Sequence, residues 1–105
     1  MTGVLTYDQA RQFGKRYTGA MNSGIDEYAA LFAPGAEVVV RGEPADLERV
    51  RRVTPPERSG HRGARIDGPE VVFTIRVRDP RAGTVEDIEH RVVIDDDGRI
   101  TRLTV

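Results

Sequence analysis

The strongest constraint on this chain is a change of period along its length. Ala10, Phe13, Tyr17, Ala20 and Met21 fall on one stripe of a 3.6-residue repeat, the pattern of a helix with one buried face. From Glu70 onward the period is two: Val71, Phe73, Ile75 and Val77 alternate with Val72, Thr74, Arg76 and Arg78, as in a half-buried strand. Helices first and strands afterwards indicate an α+β domain, with helices on one face of a curved antiparallel sheet. A chain of 105 residues has material for one core, so residues 1–105 read as a single domain.

Local signals place the elements. Thr6-x-x-Gln9 has capping-box spacing and predicts a helix from about Tyr7, ended by Asn22-Ser23-Gly24. A second short helix is expected from about Asp26 through Phe32, with Pro34-Gly35 turning the chain out and Ala36 to Arg41 forming the first strand. Pro44 suits the first turn of a third helix, which Pro55-Pro56 stops. Thr54 to Gly68 reads as loop, with room for a short strand at Arg62 to Ile66. Asp79 to Gly83 turns the chain into a strand from Thr84 to Ile94, Asp95-Asp96-Asp97-Gly98 makes a hairpin turn, and Arg99 to Val105 is the last strand. The expected order is α-α-β-α-β-β-β.

Register decides which side chains point inward, because a slip of one residue turns every side chain over. A four-residue loop after the Val71–Val77 strand puts Thr84, Glu86, Ile88, His90, Val92 and Ile94 on its apolar face. A five-residue loop would put Asp87, Glu89 and Arg91 there instead, so the shorter loop is preferred. His90 then points inward between Ile88 and Val92, with Glu86 nearer the rim. The last strand offers no clean division into two faces.

Composition removes whole classes of chemistry. The chain has no Cys, which excludes disulfide scaffolds, thiolate metal sites and cysteine nucleophiles. His61 and His90 are the only histidines and lie in unrelated elements, so no metal site is expected. Asp95-Asp96-Asp97-Gly98 lacks the rest of a calcium loop. Gly60-His61-Arg62-Gly63 lacks the flanking strand and helix of a phosphate loop. Sixteen Lys+Arg against 17 Asp+Glu give a net charge of −1, which favours neither nucleic acid nor a membrane surface as partner. The longest apolar run, around Val38-Val39-Val40, is far short of the ~20 residues that span a bilayer. Met1 to Asp8 lacks a charged region followed by an apolar stretch, so a cytoplasmic protein is expected. The charges are nevertheless segregated: Arg49 to Arg65 holds six arginines against Glu57, and Thr84 to Asp97 holds six acids against Arg91. These patches could meet within the fold, across a dimer or with a partner. The basic span has no interleaved aromatics for stacking on a single strand, but its charge could attract a phosphate or carboxylate.

Two segments carry a family resemblance. Arg16-Tyr17-Thr18-Gly19-Ala20-Met21-Asn22-Ser23-Gly24, followed by Tyr28 to Val38, resembles the opening of the nuclear transport factor 2-like superfamily, which includes SnoaL-like polyketide cyclases and ketosteroid isomerase. His90-Arg91-Val92-Val93-Ile94-Asp95-Asp96-Asp97-Gly98-Arg99-Ile100 resembles that superfamily's last hairpin. The resemblance implies a cone-shaped sheet wrapped around the N-terminal helix, a pocket at its open end, and a homodimer through the outer sheet face. Many such proteins are cofactor-free enzymes acting on small hydrophobic molecules, and others only bind ligands or proteins.

The resemblance also implies roles. Tyr17 matches the helix tyrosine that donates a hydrogen bond to an isomerase substrate's oxyanion, and it lies on the buried stripe. His90 falls where the isomerases carry a second donor, and an imidazole there could also move a proton. Aligning the tripeptide Ile88-Glu89-His90 differently would choose Glu89, but the strand parity favours His90. The isomerase's general base would fall on Val40, which cannot move a proton, so classical steroid isomerisation is not expected unless Glu86 or Asp46 reaches the pocket. Arg41 could clamp an anionic substrate, though a solvated strand end fits it better. Phe13, Val40, Phe73, Ile88 and Val92 would line the substrate site. The reading is a cofactor-independent cyclase, isomerase or dehydratase using Tyr17, His90 and, more distantly, Glu86 on a small carbonyl-bearing molecule. The alternative is a non-catalytic ligand-binding or dimerisation module, with Val72, Val85 and Val93 on the outer face.

Overall fold

The computed structural model describes residues 5–105; residues 1–4, at the start of the segment read for a leader, lie outside the described residues. Helix α1 (Tyr7–Ser23) begins at the expected capping box. The Gln9 amide nitrogen donates to Thr6 Oγ1 at 3.2 Å and the Thr6 amide donates to Gln9 Oε1 at 2.8 Å, satisfying donors that a helix start leaves free. Its buried face holds Ala10, Gly14, Tyr17, Thr18 and Met21, while Phe13 and Ala20 are half-buried beside it.

Helix α2 is shorter than expected, Ile25–Ala29, and strand β1 starts early, Phe32–Val40. The reason is a tertiary bond: the Ile100 amide donates to the Leu31 carbonyl at 2.9 Å, drawing the chain into the sheet before Pro34. Pro34 and Gly35 are absorbed where the pairing of β1 shifts register between Phe32 and Glu37, with Gly35 at φ 74°. Arg41 and Gly42, at φ 51° and 82°, form a two-residue hairpin turn into β2 (Glu43–Pro44), as such turns require positive φ at both positions. Pro44 is therefore in a strand and not in a helix. Helix α3 starts later, at Leu47–Val53, where Asp46 Oδ1 caps the Arg49 amide at 2.9 Å. The stretch read mostly as loop holds a short 3₁₀ turn (Pro56–Arg58) and a nine-residue strand, β3 (Ser59–Asp67).

Strand β4 (Glu70–Asp79) pairs with β5 (Thr84–Ile94) in the expected register, Phe73 opposite His90 and Ile75 opposite Ile88. Strand β6 (Ile100–Thr104) closes the chain. Its ambiguous pattern has a physical cause: the register with β5 shifts between Val93 and Ile94, so Ile100 and Leu103, which differ in parity, are both fully buried. The sheet order is β2-β1-β6-β5-β4-β3, with β1 and β6 parallel and the other pairs antiparallel. The element order thus has two strands more than the sequence reading, around one helix-filled concavity. Asp95 Oδ1 accepts from the Asp97 and Arg99 amides, each at 2.9 Å, so the acidic turn is a hairpin held by its own carboxylate.

Candidate functional site

Within the concavity four polar side chains from four elements form one chain. Tyr17 of α1 hydrogen-bonds through its hydroxyl to the Tyr28 hydroxyl of α2 and, at 2.8 Å, to His90 Nδ1 of β5. His90 Nε2 lies 2.8 Å from Thr54 Oγ1, at the C-terminal cap of α3. All four residues are 0 % exposed. The local sequence explains each placement. Tyr17 is on the buried helix stripe, His90 follows from the β4–β5 register, and Tyr28 is the buried residue of a five-residue helix. Thr54 is drawn inward where the Thr54 amide ends α3 by donating to the Val50 carbonyl at 2.9 Å. Aromatic edges close the surroundings: Tyr17 meets Tyr28 and His90 edge-on, and Phe73 lies 5.1 Å from the Tyr17 ring centre.

Burial sets the charge states. Desolvation lowers His90 from 6.5 to about 3, so its imidazole is neutral and carries one N–H. Desolvation pushes both phenols up; for Tyr17 the neighbouring Tyr28 adds to the rise, and for Tyr28 the Tyr17 hydrogen bond and the Arg51 charge oppose it. Two phenol O–H groups, one imidazole N–H and one threonine O–H supply four hydrogens for three contacts. One hydrogen must therefore leave the chain at an end. Two hydrogen orders satisfy the chain: Tyr28 donates to Tyr17, Tyr17 to Nδ1 and Nε2–H to Thr54, which leaves the Thr54 hydrogen free, or every direction reverses and leaves that of Tyr28 free.

The structure brings Tyr17 and His90 together and adds Tyr28 and Thr54, which the sequence reading did not single out. Tyr28 could have been found as the one inward position of a short amphipathic helix. Thr54, ahead of two prolines, gave no periodic signal. Of the expected substrate contacts, Val40, Phe73 and Val92 are fully buried core residues and Phe13 and Ile88 are half-buried. Glu86 is exposed opposite Val77 near the hairpin end, Asp46 caps α3 and Val40 is apolar, so among the described residues none of the positions considered for a base brings a carboxylate to the polar chain. Glu89 lies on the outer face, bound to Arg65 at 2.7 Å and to Arg91 at 3.3 Å. Arg41 is an exposed turn residue. The acidic and basic patches meet within the fold only in part, through Arg65 and Glu89; Arg91 also reaches Asp67 and Glu70, and Arg76 holds Asp87. An open cleft of about 420 Å³ lies away from the polar chain, between the β3–β4 turn and the β5–β6 turn, lined by Ile66, Pro69, Val71, Ile94 and Asp95 among others. No helix among the described residues is long and apolar enough to cross a membrane.

This geometry is that of the nuclear transport factor 2-like fold. A de novo designed NTF2-fold protein superposes at TM-score 0.71 and 20% identity, covering 98% of this chain and 87% of its own. A protein of Sinorhizobium meliloti provisionally described as a polyketide cyclase gives 0.62 at 20% identity, covering 86% and 88%. An NTF2-like protein of unknown function from Burkholderia xenovorans gives 0.66 at 13% identity, covering 93% and 82%. No protein-family model and no curated protein sequence matches the chain. At these identities the likeness shows the fold, and designed proteins share it with cyclase-like ones, so activity has to be argued from the site.

Proposed function

We propose that this domain is a cofactor-independent, SnoaL-like cyclase, isomerase or dehydratase that polarises the oxygen of a small, largely apolar carbonyl compound. The observation that carries the reading is the buried Tyr28–Tyr17–His90–Thr54 chain, which has one hydrogen more than it can use internally. In the tautomer with the hydrogen on Nε2, movement of the segment that carries Thr54 would present His90 Nε2–H to a carbonyl oxygen, with Tyr28 donating to Tyr17 and Tyr17 to Nδ1 behind it. Both Tyr17 contacts are already taken, which supports a relay role for it and a direct hydrogen bond from His90. A neutral imidazole whose conjugate acid lies at about 3 is a poor base near neutral pH. The site therefore suits a substrate whose α-carbon is already acidic, such as a benzylic ketone or a 1,3-dicarbonyl, which gives its α-proton to solvent water or hydroxide while a hydrogen bond from His90 stabilises the enolate.

A second reading rests on the closure of the site. Four fully buried, mutually satisfied groups also serve as a polar core that fixes α1, α2, α3 and β5 relative to one another. The domain is then a ligand-binding or homodimerising module. Deuterium uptake by 2-tetralone in D₂O, with ligand binding followed by saturation-transfer NMR, separates the two. Protein-dependent exchange that His90→Gln abolishes supports the enzyme. Saturable binding without exchange supports the module. Neither, in a folded protein, overturns the carbonyl site.

A further inference from the structure

Strand β3 is an edge of the sheet, and at its start the outer face is built unlike the rest. Gly60 lies opposite Arg76. Arg58 and Arg62 stand two positions to either side, and Arg78 is the diagonal neighbour across the pair. The register shift between His61 and Gly63 leaves Arg62 unpaired in the ladder, the kind of bulge that re-aims a side chain. The result is a trough of about 450 Å³ lined by Glu57, Arg58, Gly60, Arg62, Arg76 and Arg78 among others. Its floor is open: a Cβ on Gly60 would meet no atom within 4 Å.

One of the arginines around this floor is paired within the fold, and the same carboxylate, Asp87, also feels the charge of Arg62. Arg76 is committed to Asp87 through bonds of 2.8 and 3.2 Å. Arg58, Arg62 and Arg78 take part in no ion pair among the described residues, and the single acid lining the trough is Glu57. Gathering like charges on one small surface opposes folding unless an anion relieves it. Guanidinium forks match the paired oxygens of a phosphate, whereas no Phe, Tyr or Trp for stacking is among the lining residues. The open volume exceeds what a phosphate group fills and leaves room for an organic part.

We propose that the Gly60 trough is a binding site for a phosphate group, free or carried on a small organic molecule, held by Arg58, Arg62 and Arg78 with Arg76 braced by Asp87. This site is independent of the buried polar chain. The test is an NMR titration of the whole labelled protein with inorganic phosphate, phenyl phosphate and sodium acetate at matched ionic strength. Saturable shifts at Gly60, Arg62, Arg76 and Arg78 with phosphate but not acetate are expected. Tighter binding of phenyl phosphate identifies an ester as the ligand, and equal binding identifies the free anion. Gly60→Leu fills the trough without changing charge and should abolish saturation. Arg62→Gln, on an exposed residue and therefore safe for folding, should weaken binding by about tenfold. Shifts that grow linearly and equally with acetate, or saturable binding unchanged in both variants, overturn the proposal.

Discussion

Acid should weaken this protein through one residue more than any other. His90 is held neutral by burial, at about 3 against 6.5 in the unfolded chain. Between those values the unfolded state binds a proton that the folded state refuses, so stability rises with pH across that window and falls as pH drops through 6.5. At pH 5 the difference amounts to about 2 kcal/mol relative to pH 7.5, and by pH 3 it reaches about 4 kcal/mol. Urea unfolding of wild type and His90→Gln at pH 7.5 and pH 5 isolates this contribution, because the surface carboxylates are common to both. Wild type should lose about 2 kcal/mol more than the variant over that interval. The same experiment by NMR should show the His90 ring resonances unmoved from pH 7.5 to 5. Equal acid losses in the two proteins, or a His90 resonance titrating near 6, would refute the argument that the imidazole is buried and neutral.

Other expectations follow from the same contacts. Tyr17→Phe removes the hub of the polar chain and leaves two buried partners short of a contact, so it should cost about 2–4 kcal/mol by urea unfolding, while Thr54→Val should cost about 1–2 kcal/mol. A double-mutant cycle between these two should show coupling, since both act on His90. Gly14→Ala would place a Cβ 2.5 Å from His61 Cε1 and 3.0 Å from Phe73. Against a helix-propensity gain of about 1 kcal/mol it should still destabilise, and His61→Ala should relieve it in the double variant. If the outer face is the homodimer surface, Val85, which is 56% exposed, should be a sensitive position, and Val85→Glu should shift gel-filtration elution toward the monomer. An elution volume independent of concentration in the unaltered protein counts against that interface.

What the sequence disclosed is local or periodic. The Thr6–Gln9 box, the alternation that fixed Phe73 opposite His90, and the acidic hairpin turn each depend on residues close in the chain, and each stands as expected. What it hid depends on partners elsewhere. The early start of β1 comes from the bond between Leu31 and Ile100. Arg41 adopts a left-handed conformation more usual for Asn or Gly, so the β1–β2 hairpin had no turn signature. Strand β3 lacks apolar alternation because it is an edge strand with Gly60, Gly63 and an extra residue in its ladder. For the site, Tyr17 and His90 were legible from parity and resemblance, whereas Thr54 joins them only because α3 ends above His90.

The polar chain also has a consequence for how the molecule assembles. Tyr17 and His90 are 73 positions apart and Thr54 and His90 are 36 apart, so these bonds close long loops whose entropy must be met by other contacts first. The β4–β5 hairpin and α1 can organise locally, but the chain of hydroxyls and imidazole exists only when the two ends of the protein have docked. Substitutions in it should then accelerate unfolding and leave the folding rate nearly unchanged in stopped-flow chevrons. The lifetime of the folded molecule, more than the speed of its formation, would be written into those four side chains.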